Sequence, residues 1–188
     1  MKRILILLVI ISYFFVIKGF GKIYRADLYY KDSQRQLALG KEKVALEKIR
    51  NAVELNPNEP RYRLGESKIF LTNANPGLKY RAVKGLENAF NLNQKNLVTI
   101  RNSVPLYYLA AINDIYKKPG GENLDTEYID VVKKFFMDTK QKYPNDVGVY
   151  VLIAGYEKKL GFETEYKNSI DRIKKLRPDL LQWHEDLN

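Results

Sequence analysis

One spacing recurs four times along this chain and leaves few folds open to it. Ala45, Ile49 and Ala52 stand at i, i+4 and i+7. The same interval relates Ala82, Leu86 and Ala89, then Val132, Phe136 and Thr139, and finally Tyr166, Ile170 and Ile173. Residues so spaced share one face of an α-helix. Pro57, Pro144 and Pro178 each follow the first member of their trio by twelve residues, and Gln94 holds that place after Ala82. A proline there ends the helix, because it cannot donate to the preceding turn and forces its neighbour out of the helical region. A chain that writes the same striped helix four times can bury the stripes only against neighbouring copies.

The wider pattern between Ala26 and Glu59 carries Tyr29, Gly40, Ala45, Ile49, Ala52, Leu55 and Pro57. It resembles the tetratricopeptide repeat. There the glycine closes the first helix of a pair, and the small residues of the second let its partner approach closely. Tyr150, Ala154, Gly161, Ile170, Leu176 and Pro178 resemble the same repeat at its usual length. The resemblance implies an all-α fold, with about four antiparallel helix pairs over residues 25–178 stacked into a right-handed superhelix with a concave face. Residues 179–188, which hold Trp183 and His184, read as a short C-terminal capping helix.

The steps from trio to trio are 37, 50 and 34 residues, so the middle turns must absorb length. Thr72 to Gly77 and Lys117 to Asp125 are rich in helix breakers and are the expected places. Asp125 is expected to cap the helix after it. Pro105 lies within the run from Asn96 to Lys118, which predicts either a kinked helix or a helix beginning near that proline.

Ahead of the repeats, Ile4 to Ile17 is fourteen residues without a charge. As a helix it is about 21 Å long, at ~1.5 Å per residue. Two readings are open. Residues 1–24 form an uncleaved membrane anchor contacting lipid through residues 4–24, with Lys18 and Lys22 snorkelling to the interface. Alternatively they are a secretory signal with a weak cleavage site at Gly19-Phe20-Gly21. No proline separates Ile17 from Leu39, which predicts one helix running from the membrane into the first repeat. The short basic start places the N-terminus in the cytoplasm and exports the repeats.

The net charge of +10 divides evenly about this segment: residues 1 to 25 carry five basic and no acidic side chains, and the remaining +5 is spread over a mixed surface. Nucleic-acid binding needs a basic stripe with interleaved aromatics, so no nucleic-acid partner is expected. The absence of cysteine removes thiolate chemistry and disulfides, and a single histidine, His184, gives no imidazole cluster. No catalytic residue, metal or cofactor is therefore expected, and oligomeric state has no signature.

What remains is binding. By the repeat register, the inner face of the first helices would carry Asp27, Tyr30, Gln34 and Leu37, then Tyr62, Glu66 and Ile69. The third pair would add Tyr108, Ile112 and Ile115, and the fourth Val151, Gly155, Lys158 and Lys159. Such a groove, with tyrosine and aliphatic anchors among charges of both signs, suits a protein partner offered as an extended peptide or a helix. The expected function is a membrane-anchored interaction scaffold of a bacterial cell envelope. A narrower likeness covers residues 20–70. RADLYYKDSQRQLALG and KIRNAVELNPNEPRYRL resemble the repeat block of O-antigen ligase and polymerase-type membrane proteins, which implies, as the alternative, an accessory role in envelope glycan or lipid assembly.

Overall fold

The computed structural model describes residues 2–73 and 76–179, with the side chains of residues 2–5, 7–11 and 76 left out of the description. Among the described residues eight α-helices follow one another: α1 Lys2–Ala38, α2 Glu42–Leu55, α3 Pro60–Thr72, α4 Lys79–Leu92, α5 Leu97–Ala110, α6 Ile129–Lys142, α7 Val147–Leu160 and α8 Glu163–Leu176. They pair as antiparallel hairpins, α1 with α2, α3 with α4, α5 with α6 and α7 with α8. The arrangement matches the expected solenoid of tetratricopeptide-like hairpins.

The trios make the second helix of each hairpin what it is. Ala45, Ile49 and Ala52 are fully buried, as are Ala82, Leu86 and Ala89, while Val132, Phe136 and Thr139 are nearly so. In the last trio Ile173 is buried and Tyr166 packs at the edge of the cluster. Each of these helices stops at the residue before its cap, with Asn56, Asn93, Tyr143 and Arg177 closing them. Gly40 and Gly161 take left-handed φ values of 70° and 74° at the tight turns of the first and last hairpins, a conformation that costs any residue with a Cβ.

A feature invisible in the apolar pattern repeats across the first two hairpins. Ser33 on α1 donates its hydroxyl to the Ala45 carbonyl at 2.8 Å, and Ser67 on α3 donates to the Ala82 carbonyl at 2.9 Å. Both serines are buried, and each bonds to the first residue of its trio. Each hydroxyl is satisfied on the backbone of the paired helix, and in the second hairpin Gly85 leaves the room beside Ser67.

Two expectations need correction, the reach of α5 and the role of Asp125. α5 begins at Leu97, where the Asn96 side chain accepts from Val98 and Thr99 N–H, and it runs through Pro105. The missing proline N–H would have met the Arg101 carbonyl, and Arg101 is exposed, so water can take its place. The helix ends at Ala110, well short of Lys118. Residues 111–128 instead form a folded loop held by the buried Asn123, whose amide bonds the Asp114 N–H at 2.9 Å and the Asp114 carbonyl at 3.0 Å. Asp125 does not cap α6, which starts behind Tyr128 without a side-chain cap. Its carboxylate turns back to the Glu127 N–H and pairs with Lys79 at the head of α4.

Two further expectations concern the ends. α1 is a single helix from Lys2 through Gly19 and Gly21 to Ala38, as expected. Yet among the described residues no helix is long and apolar enough to cross a membrane. The described apolar stretch from Ser12 to Ile17 is soon interrupted by Lys18 and Lys22, while the side chains of Leu5 and of Leu7 to Ile11 lie outside the described set. The expected capping helix also falls, from Leu180 onward and with Trp183 and His184, outside the described residues.

Candidate partner-binding surface

Each hairpin meets the next through both of its helices: α1 and α2 touch α3, α3 and α4 touch α5, and α5 and α6 touch α7. The first helices therefore form one continuous layer, and their outward faces make the inner surface of the solenoid. How much of it is open depends on how tightly neighbours close.

Between the first two hairpins they close over Tyr62 and Ile69. Tyr62 is fully buried and Ile69 nearly so; both belong to the core around α1 and α2 and are not groove residues as the register implied. The Tyr62 hydroxyl donates to Asp27 at 2.7 Å, and Arg61 reaches the same carboxylate oxygen at 3.3 Å. Tyr30 leans on the Tyr62 ring with centroids 5.4 Å apart. Burial, reinforced by the hydrogen bond to Asp27, pushes the Tyr62 phenol well above its usual range. Leu37 packs against the same cluster, and the Gln34 amide nitrogen is buried without a hydrogen-bond partner beside Gly65. A Cβ at Gly65 would stand 3.0 Å from the Tyr30 ring and 3.3 Å from that nitrogen, so the glycine is what lets α3 approach α1. Glu66 remains partly exposed between Arg50 at 3.8 Å and Arg63 at 3.9 Å. This half of the expected groove is a seam between repeats.

The other half is open in part. Ile112 is buried in the main core and Ile115 packs against it, both in the 111–128 loop beyond α5, so neither lies on a first helix. Tyr108 on α5 lies against Tyr156 on α7, ring centroids 5.0 Å apart. The Lys159 ammonium stands 5.1 Å from the Tyr156 ring and 6.0 Å from the Tyr108 ring. Burial of their rings raises both phenols above the ordinary tyrosine range. Lys158 sits over Tyr166 at 5.8 Å. Val151 and Gly155 are partly exposed alongside, with open space before the Gly155 Cα. Tyr156 was missed by sequence register. Its signal was the i, i+3 relation to Lys159 on the same helix, which places a ring beneath an ammonium.

A second surface lies on the other side of the last two hairpins. A cavity of about 490 Å³ between α6 and α8 is lined by Lys133, Met137, Lys140, Phe162 and Glu165, among others. Its floor holds an ion pair: Glu157, 1 % exposed, accepts from Lys140 Nζ at 2.8 Å and from Ser169 Oγ at 2.7 Å. Lys140 also bonds Ser169 Oγ at 3.0 Å. Three helices are tied at one point, and this reads as structural. Among the described residues no group of three or more histidine, cysteine, aspartate or glutamate side chains is placed to hold a metal ion.

No family model matches the chain, and no curated protein does. Among solved structures it is similar to the MamA RS-1 ArsTM double mutant, at 17% identity and a TM-score of 0.48, over 87% of this chain and 81% of that one.

Proposed function

We propose that this chain is an interaction scaffold, holding a protein partner on the face shared by α5 and α7 while α1 tethers it to a lipid bilayer. The observation that carries the partner site is the patch of Tyr108, Tyr156 and Lys159, flanked by Val151 and Gly155. Two phenol rings tilted against each other, with an ammonium over them, offer large, stiff apolar area with a cation at its edge. That combination favours a partner segment with an apolar side chain and a nearby carboxylate. The charged seam of Asp27, Arg61 and Tyr62 is already satisfied internally and supplies rigidity instead.

The tether reading rests on α1. Tyr13, Phe14, Phe15, Val16, Ile17, Phe20 and Tyr24 are all more than half exposed, and they lie all around the helix. An apolar helix uncovered on every side has no stable place in water. On this reading the N-terminus is cytoplasmic and the repeats face the cell envelope.

A photocrosslinking residue placed at Tyr108, Val151 or Lys158 in cells should capture a discrete partner that the same residue at Lys174 on α8 does not. Equal capture at both faces, or capture at neither, would sink the proposal. Protease protection in intact and permeabilised cells tests the side of the membrane.

A further inference from the structure

From the position of charges around α1, and resting on the tether reading above, we infer that one flank of the first hairpin binds anionic phospholipid headgroups. Lys18, Lys22, Arg25, Tyr29 and Asp32 follow one another at spacings of four, three, four and three residues, which draws a single line along the helix. Lys18, Lys22 and Arg25 are exposed. At the end of the line α2 contributes a fourth cation: the Lys48 ammonium lies 5.7 Å from the Tyr29 ring centroid and 4.0 Å from the Asp32 carboxylate. Arg25, Leu28, Tyr29 and Asp32 border a shallow recess of about 280 Å³.

The two nearby acids leave the line with an excess of positive charge. Asp27 projects to the opposite side of α1, where Tyr62 and Arg61 bond it. Asp32 accepts from Gln36 at 3.2 Å and from Arg35 at 2.7 Å, which hold its carboxyl below the usual range and ionised, so one carboxylate stands against Lys18, Lys22, Arg25, Arg35 and Lys48.

Depth along the helix selects lipid as the occupant. From Ile4 to Tyr24 α1 is about 31 Å long at ~1.5 Å per residue, against a hydrocarbon core of ~30 Å and ~40–45 Å with both headgroup layers. With that run taken up by hydrocarbon, Arg25 to Tyr29 fall at headgroup depth. Lys18 and Lys22 snorkel upward on the same flank. Because α1 is also the first helix of repeat one, without a break, the flank that meets the headgroups is fixed relative to the whole solenoid. The exposed Lys31 lies on the far side of the helix and has no part in this site.

The test uses the full chain reconstituted in phosphatidylcholine vesicles that contain a trace of photoactivatable phosphatidylglycerol or photoactivatable phosphatidylcholine, with crosslinked peptides read by mass. Phosphatidylglycerol should label the peptides around Arg25 and Lys48 in preference. Each of Arg25→Gln and Lys48→Gln should lower that preference about fivefold, the effect of one cation near an anionic surface, and Lys31→Gln should leave it unchanged. Equal labelling by the two lipids, or an equal effect of Lys31→Gln, overturns the inference while the tether stands. A chain that fails to enter vesicles of either kind overturns the tether reading and this inference with it.

Discussion

Lys140→Met is the sharpest available test of how the last two hairpins hold together. The substitution keeps the length and bulk of the side chain and removes two bonds, the one to Glu157 at 2.8 Å and the one to Ser169 at 3.0 Å. Glu157 then remains 1 % exposed with only the Ser169 hydroxyl, at 2.7 Å, to compensate its charge. Stripping one partner from a buried ion pair costs about 3–5 kcal/mol, because the remaining charge stays desolvated. For a domain of this size each kcal/mol lowers Tm by about 2–4 °C, so the melting point should fall by about 6–20 °C. Lys140→Met with Glu157→Gln removes the charge as well as its partner and leaves an amide that still bonds Ser169. The pair should regain all but about 1 kcal/mol, since a matched neutral replacement of a buried pair is close to neutral. Urea unfolding followed by circular dichroism gives the totals, and hydrogen exchange in α7 and α8 localises them. A single-variant loss below about 1 kcal/mol, or a double variant no better than the single, would refute the assignment of Glu157 as a buried charge dependent on Lys140.

Three further outcomes follow from the geometry. Gly85→Ala puts a Cβ against the Ser67 hydroxyl and displaces its 2.9 Å bond to Ala82, so stability should drop by about 1–3 kcal/mol in a denaturant melt; an unchanged midpoint would show that the serine has room to move. Lys79→Ala frees Asp125 and the Ile112 carbonyl, which Lys79 bonds at 2.8 Å, and trypsin should then cut after Lys117 several-fold faster while the hairpins stay protected. Burial raises the phenol pKa of Tyr62 and Tyr107, and raises that of Tyr128 to about 12. Groups raised in the folded state contribute stability that is intact below the unfolded value near 10 and fades as pH climbs toward the folded value. Stability should therefore fall between about pH 10 and 12, read as tyrosinate absorbance appearing together with loss of helix, and Tyr128→Phe should reduce that slope.

Much of the architecture was legible because the repeat is written in local terms. A stripe at i, i+4 and i+7, a proline five residues beyond it and a glycine between the helices each act within a turn or two. Ala45, Leu86, Gly161 and Pro178 accordingly stand where their spacing placed them. The unbroken run of α1 was readable for the same reason. The site was less legible. Tyr62 and Ile69 lie on the face that the register assigned to a groove, and Gly65 brings α1 close enough to cover it.

The sequence by itself determined the hairpin repeat, most of its turns and which stripe each second helix must bury, since periodicity reports a residue's position on its own helix. Only the tertiary structure decided what stands opposite that position. It buried Tyr62 and Ile69 between α1 and α3, left the Tyr108 and Tyr156 pair half-exposed between α5 and α7, and ended α5 at Ala110, so that Asn123 could organise a loop in place of two more turns. It also joined Lys140, Glu157 and Ser169, three residues on three helices, at one buried point. Burial, pairing and access belong to two surfaces at once, and a one-dimensional pattern describes only one of them.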